Sequence, residues 1–301
     1  METEKRKIIN FSLVGNGYWG SKILELTKLI KKFNLVGVID SKTEASDKER
    51  ILSESDLIYI ATSSSNQQEY LDYCIAKNKD IICESPFLAS KQQRDTIYKT
   101  LIENSYQNFF YVNYPYIMDV LFSVPARMAI QNEFSFMSVK CSGPKHKNDK
   151  MKAKKMYSCQ ALNIITQLMS TKTYKFDKFI MHNDDYGELF YRNSTCVFSW
   201  GYSEEPTLEI SIKGKDFSIE KKFTYDEYDQ IMPLLNMYLT VDRNSLDDPS
   251  MPRSITINAL QHAIAAEYFS DLFVALNGRK TESTLENLIF SGRFKSGAPN
   301  G

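Results

Sequence analysis

The chain has 301 residues, enough for about two domains and a sizeable core. Lysine and arginine total 37 and aspartate and glutamate total 37, so the formal net charge is zero. No global attraction to nucleic acid or to an anionic membrane surface is therefore expected. The opening residues, Met-Glu-Thr-Glu-Lys-Arg-Lys, contain no apolar signal region, and no later run is long enough to span a bilayer, which makes a cytoplasmic location the expectation.

The first strong pattern lies in residues 8–20. An apolar, β-branched run stops at Gly15, Asn16, Gly17, Tyr18, Trp19 and Gly20, and a helical pattern follows over residues 21–31. In a strand–turn–helix setting Gly15 allows the tight turn, Gly17 lets the backbone approach a pyrophosphate, and Gly20 lets the helix pack close on the strand. The free N–H groups at the start of that helix would face the phosphates. Residues 35–39 form a second apolar run that ends in Asp40, placed to grip a ribose diol, with Ser41 and Lys42 directly after it. A glycine turn in some other α/β protein would show the same spacing, but the following strand and acid favour a dinucleotide site.

Residues 41–55 are polar, a short helix or loop. Residues 56–62 are apolar without alternation, as a buried parallel strand requires, and Thr62 and Ser63 open the polar turn after it. A helical face follows at Tyr70, Leu71, Cys74 and Ile75, then a strand over residues 80–83 ending at Glu84, Ser85 and Pro86. A helix over residues 91–104 and a strand over residues 108–112 complete a regular alternation, the sign of a doubly wound parallel sheet.

Past Tyr116 the pattern changes. Strands are expected over residues 133–141, 178–181, 188–192, 195–202 and 207–212, with a helix over residues 157–169. Leu208, Ile210 and Ile212 alternate with Glu209, Ser211 and Lys213, and after a turn at residues 213–216 the segment 217–223 returns as an antiparallel hairpin. A long amphipathic helix covers residues 258–276, and residues 242–253 are the most loop-like part of the chain. The expected fold is α/β: a Rossmann doubly wound parallel sheet in residues 1–118, and in residues 119–301 an α/β domain with an open, mostly antiparallel sheet.

This order resembles the Gfo/Idh/MocA family, the glucose–fructose oxidoreductase and myo-inositol dehydrogenase group. The marks are the Gly15–Gly20 loop, Asp40, the Ile60-Ala61-Thr62 run, Cys83-Glu84-Ser85-Pro86, the residue 210–217 hairpin, Asn258-Ala259-Leu260 and Gly278-Arg279-Lys280. The resemblance implies NAD as cofactor, with NADP also admitted, hydride transfer at nicotinamide C4, and Glu84 and Pro86 near the nicotinamide ribose. It also implies a small-molecule substrate, a sugar, nucleotide sugar or other small polar compound, and a homo-oligomer, dimer or tetramer. Family dehydrogenases carry a lysine between that glutamate and proline, and an Asp-x-x-x-His pair on the first helix of the second domain. Those positions here are Ser85, Asn163 and Gln167, which can hold a substrate but cannot exchange a proton near neutral pH. Activity is therefore expected to favour reduction, and a non-catalytic, cofactor-binding or scaffold relative is the alternative.

The remaining candidates have bland readings beside the functional ones. Tyr114, Tyr116 and Tyr157 flank the expected cleft, where any of them is either a core residue or a replacement acid. The lysines between residues 145 and 155 read as a solvated loop, or as a contact for an anionic carboxylate or phosphate on the substrate. His146, His182 and His262 have no partner at metal-ligand spacing, and Cys74, Cys83, Cys141, Cys159 and Cys196 read as reduced core residues, so no metal is expected. The alternation of Phe198, Trp200 and Tyr202 suggests an apolar outer face on the second sheet through which copies would pair.

Overall fold

The computed structural model describes residues 8–104, 106, 108–114, 134–144, 150–168, 178–182, 186–191, 194–240, 263–264, 266–267, 270–271 and 282–284. The expectations for Tyr116, His146, His262, residues 242–253 and residues 278–280 lie outside them.

The first half alternates strand and helix: β1 (Ile9–Val14), α1 (Tyr18–Thr27), β2 (Phe33–Ile39), α2 (Ala45–Glu54), β3 (Leu57–Ile60), α3 (Gln67–Ala76), β4 (Asp80–Glu84), α4 (Lys91–Glu103) and β5 (Phe110–Asn113). The five strands form one sheet in the order β2-β1-β3-β4-β5, and every pairing is parallel. Helices on both faces require strands that are apolar throughout, and β3 is buried at all four positions. Helix α4 is fixed at its start by a capping box, in which Ser90 and Gln93 each bond the other's backbone.

The second sheet is built from β6 (Phe134–Gly143), β7 (Lys178–Met181), β8 (Tyr186–Tyr191), β9 (Ser194–Tyr202), β10 (Thr207–Gly214), β11 (Ser218–Thr224) and β12 (Glu282–Thr284). Their order is β11-β10-β6-β9-β8-β7-β12, with β6 and β9 the parallel pair among the described strands and the rest antiparallel. The β10–β11 hairpin takes the expected register, with Leu208, Ile210 and Ile212 buried.

Helix α5 (Lys150–Leu168) lies against β6 and β9 and is buried nearly all round, as a helix enclosed on every side must be. It corrects two expectations. Cys196, Phe198 and Trp200 face α5 and are buried, so the apolar alternation of β9 is this chain's own core rather than an outer face. The opposite face carries Ser138, Lys140, Ser199, Glu209 and Ser211, and Lys140 and Lys222 pair with Glu209 across three strands at 3.4 and 3.3 Å. The lysine-rich segment is also not a solvated loop where it is described, since Lys154 and Lys155 belong to α5 and Lys154 is only 1 % exposed. Residues 145–149 of that segment lie outside the described residues.

Helix α6 (Glu227–Thr240) contains Pro233 and buries Ile231, Leu234, Leu235 and Tyr238. Tyr238 crosses to the first sheet, where its hydroxyl donates to Asp80 Oδ2 at 2.7 Å and its ring stacks on Phe33. All five cysteines are buried free thiols. Among the described residues no helix is long and apolar enough to cross a membrane.

Candidate functional site

The C-terminal edge of the first sheet gathers most of the predicted residues. Between β1 and β3 the strand order reverses direction, which leaves a crevice above the β1 turn. Gly15 has φ +103°, and a Cβ there would come within 2.6 Å of the Ala61 carbonyl oxygen. A Cβ on Gly20 would overlap the Gly15 carbonyl, so α1 can start this close to β1 only with glycine at that position. Gly17 meets nothing within 4 Å of where its Cβ would sit. It caps α1 without a side-chain hydrogen bond, and its backbone borders open space at the positive end of the helix. These residues fit a dinucleotide pyrophosphate: two positions are closed to any side chain, and the third is open to a ligand. Tyr18, 66 % exposed, and Trp19 stand edge to face at the rim.

Asp40 follows β2 at the same edge. Its Oδ1 accepts from the Lys42 backbone N–H at 2.8 Å and from Thr43 Oγ1 at 3.2 Å, and neither bond uses Oδ2. The Lys42 backbone bond is the main cause holding the carboxyl below the usual carboxylate range. Ser41 and Lys42 are exposed, Thr62 is half-buried, and Ser63 shares a hydrogen bond with Ser65 in the turn after β3.

Glu84 ends β4 beside Asn113, its register partner on β5. Tyr59 lies on the same face of the sheet, because its own register partner is Ile82, two residues before Glu84. The Tyr59 hydroxyl donates to Glu84 Oε1 at 2.5 Å and Asn113 Nδ2 donates to the same oxygen at 2.8 Å. Burial pushes the Glu84 carboxyl up to about 6, against the opposing pull of these two bonds.

The segment after Glu84 is held through its backbone. The Ser85–Pro86 bond is cis, and Leu88 adopts φ 55°, unusual for a residue with a side chain. Gln67 Nε2 donates to the carbonyls of Glu84 at 2.9 Å and Pro86 at 3.2 Å, while Gln67 Oε1 accepts the Leu88 N–H at 2.7 Å. Arg94 Nη1 donates to the Leu88 carbonyl at 3.0 Å, and Glu267 accepts the Phe87 N–H. Ser85 is partly buried and its side chain has no hydrogen-bond partner among the described residues.

Glu267 and Arg94, both fully buried, anchor a charged cluster where the two sheets' helices meet. Arg94 Nη2 pairs with Asp271, and Lys155 pairs with Asp271 at 2.7 Å and with Glu267 at 3.8 Å. Burial raises the Glu267 carboxyl, and Lys155 and Arg94 partly offset that. Burial disfavours the Lys155 charge, yet Glu267 and Asp271 outweigh it and leave its pKa raised.

The two predicted tyrosines within the described residues are committed elsewhere. Tyr114 is 2 % exposed, and its hydroxyl donates to Glu267 at 3.2 Å. Burial first, then neighbouring Cys159 and Glu267, push its pKa well above the ordinary value. The Tyr157 hydroxyl donates to the Pro144 carbonyl at 3.2 Å, and its pKa is pushed up to about 12, mainly by burial. On α5, Gln167 Nε2 donates to Asn163 Oδ1 at 2.8 Å, so the two amides pair along one helical face. That face also carries Cys159, one turn earlier, in contact with the Tyr114 hydroxyl at 3.6 Å. Asn163 is fully buried, and its Nδ2 has no partner among the described residues.

Sequence reading missed Tyr59, Gln67, Arg94, Asn113 and Glu267. Tyr59 and Asn113 offered a signal, each being a polar group inside or ending an apolar strand run. Glu267 offered none, since its partners lie more than a hundred residues away. Among the described residues no group of three His, Cys, Asp or Glu side chains is placed to hold a metal ion.

Comparison with known proteins agrees with this geometry. The model of an oxidoreductase family with an NAD-binding Rossmann fold matches residues 9–114. A probable dehydrogenase from Thermotoga maritima superimposes with a TM-score of 0.69 at 12% identity, covering 93% of this chain and 100% of that one. Myo-inositol 2-dehydrogenase from Lactobacillus plantarum gives 0.65 at 9% identity over 91% of this chain and 99% of its own. Scyllo-inositol dehydrogenase from Lactobacillus casei, with NAD(H) and scyllo-inositol bound, gives 0.62 at 10% identity over 91% and 99%. At such identities the likeness is one of fold. No curated protein matches the chain.

Proposed function

We propose that this chain, whose residues 9–114 match the model of an oxidoreductase family with an NAD-binding Rossmann fold, is an NAD-dependent oxidoreductase of a small polar carbonyl or alcohol, working chiefly as a reductase. The observation that carries the direction is the Asn163–Gln167 amide pair. Alcohol oxidation releases a proton as hydride leaves, and a positioned base contributes about a hundredfold to ten-thousandfold to that step. Ser85, Asn163 and Gln167 carry no such base, whereas a bound dihydronicotinamide supplies the hydride for reduction. Gly15, Gly17 and Gly20 would hold the pyrophosphate and Asp40 the adenosine ribose, with residues 1–118 as the cofactor-binding unit and residues 119–301 carrying the substrate and assembly surfaces. A sugar, inositol-like polyol or nucleotide sugar suits amide side chains, which donate and accept hydrogen bonds without charge.

The same amide pair supports a second reading, a cofactor-binding relative without catalysis. NADH titration by fluorescence, followed by a panel of keto- and aldo-sugars with NADH and of polyols with NAD, separates the two. Turnover of a carbonyl compound supports the reductase. NADH binding without turnover of any compound supports the non-catalytic reading, and absence of NADH binding overturns both.

A further inference from the structure

Resting on that reading of the cofactor edge, we propose that Glu84 is the proton-carrying group of this site, giving a proton from its carboxyl to the substrate oxygen during reduction and taking it back in the reverse reaction. The neutral Ser85, Asn163 and Gln167 leave the task open. Tyr114 and Tyr157 do not fill it, since their hydroxyls are spent on Glu267 and on the Pro144 carbonyl.

Placement follows from the sheet. The pyrophosphate turn stands after β1 and Asp40 after β2, so the adenosine half of a dinucleotide lies over β1 and β2. A dinucleotide straddles the switch point, which sends its nicotinamide half the other way, over the ends of β3 and β4. Glu84 is the last residue of β4. Tyr59 and Asn113 both bond to Oε1 and fix the plane of the carboxyl, while Oε2 takes no hydrogen bond from the described residues.

The groups around Glu84 isolate its titration. Tyr59 on β3 and Cys83 beside it are both raised well above their ordinary values, each mainly by burial, and stay protonated. Gln67 on α3 and Asn113 on β5 are neutral amides. Among the groups in contact with Glu84, a proton exchanged near neutral pH therefore belongs to Glu84. The raised Glu267 carboxyl lies beyond them on the Phe87 N–H, beside Lys155, and its release is told apart by the Glu84→Gln variant. In reduction the carbonyl carbon of the substrate receives a hydride from the bound dihydronicotinamide, and the C=O π pair moves to oxygen. That oxygen takes the proton from Glu84, whose O–H bond breaks to leave a carboxylate, and solvent returns the proton before the next turnover. Oxidation runs the same transfers backwards, with Glu84 as the base. A carboxylate whose conjugate acid titrates at about 6 is a weaker base and a stronger acid than the family's lysine, so it serves reduction better than oxidation.

The test reads protons rather than turnover. The nicotinamide ring of NAD carries a positive charge and that of NADH does not, so NAD beside Glu84 favours the carboxylate and expels its proton. In weakly buffered solution at pH 6, where Glu84 is about half protonated, binding NAD should release up to about half a proton more than binding NADH. The difference should fade by pH 8. It should vanish in Glu84→Gln, which keeps an acceptor for Tyr59 and Asn113. Tyr59→Phe removes a bond that favours the carboxylate and should move the pH of greatest release upward, which carries the test if Glu84→Gln does not fold. Equal release with NAD and NADH in a protein that binds both, a difference that survives Glu84→Gln, or a release profile unmoved by Tyr59→Phe would each overturn the proposal. Binding of neither cofactor would instead overturn the cofactor reading on which it rests, and the proposal with it.

Discussion

Glu267 accepts the backbone N–H of Phe87 at 2.5 Å, across 180 residues of sequence. The bond ties the C-terminal helical segment to the turn that follows Pro86. The same carboxylate faces Lys155 of α5 and accepts from Tyr114, so one side chain joins β5, α5 and the loop after β4. Ion pairs of this kind are weak sources of net stability, but removing one member leaves uncompensated charge in the interior.

Glu267→Ala should therefore destabilise the protein by about 3–5 kcal/mol in urea unfolding. It leaves the Phe87 N–H without its acceptor, the Tyr114 hydroxyl with only the Ala263 carbonyl at 3.5 Å, and Lys155 with Asp271 alone. Glu267→Gln keeps an acceptor oxygen and should cost clearly less. A loss below about 1 kcal/mol for the alanine variant would show that water or a neighbouring carbonyl replaces the carboxylate.

Glu84 gives a pH dependence of defined sign. A carboxyl raised from 4.5 to about 6 on folding binds more protons in the folded than in the unfolded state between those values. Stability should fall as pH rises through that window, by up to about 2 kcal/mol at roughly 1.4 kcal/mol per pH unit. Glu267, also raised, adds a fall of the same sign. Urea titrations of wild type and Glu84→Gln at pH 4.5, 6 and 7 should show a shallower decline in the variant. Parallel curves would mean that Glu84 titrates alike in both states.

Much of this arrangement could be read from the sequence, and the exceptions have definite causes. The strands of the first sheet are apolar throughout because both faces are covered, and such runs are easy to see between turn residues. The glycine turn was legible because two of its positions admit no side chain. The face of β9 was not, since Cys196, Phe198 and Trp200 mark one apolar face but only the docking of α5 decides that this face is inside. The lysines of α5 misled for a related reason. A run of charges normally marks solvent, and Lys155 is drawn inward by Glu267 and Asp271, carboxylates that no local pattern announces. Helix α6 carries its spacing openly at Ile231, Leu234, Leu235 and Tyr238, but Pro233 inside it reads as a helix breaker.

Cofactor preference should follow Asp40. Its carboxylate holds the Lys42 and Thr43 turn through Oδ1 alone, so Oδ2 is available to a ribose hydroxyl and repels a 2′-phosphate. NADH should bind at least about tenfold more tightly than NADPH, a difference of about 1.4 kcal/mol, and Asp40→Asn should narrow the ratio. Fluorescence titration with both nucleotides measures it. Tighter NADPH binding by the wild type would assign the pocket to the Lys42 ammonium instead.

The amide pair on α5 makes the sharpest mutational case. Asn163 is fully buried, with its Oδ1 bonded by Gln167 and its Nδ2 unpartnered among the described residues. Asn163→Asp alone places a carboxyl there with one neutral donor, which should destabilise the protein by about 1–3 kcal/mol near neutral pH. Gln167→His alone should change stability little. Together they restore a carboxylate–imidazole pair at four-residue spacing, where the aspartate supports the imidazolium and the imidazolium compensates the aspartate. The double variant should therefore recover part of the stability that Asn163→Asp loses, a coupling that a double-mutant cycle reads directly. Adding Ser85→Lys then supplies the third proton-handling group of the family pattern. If these positions border the substrate, the triple variant should oxidise a polyol with NAD at least about a hundredfold faster than the wild type. Recovery of stability without any gain in oxidation would place the pair in the core of α5 rather than in the site. Efficient oxidation by the wild type itself would show that its proton acceptor lies outside these three residues, with Glu84 the first to replace.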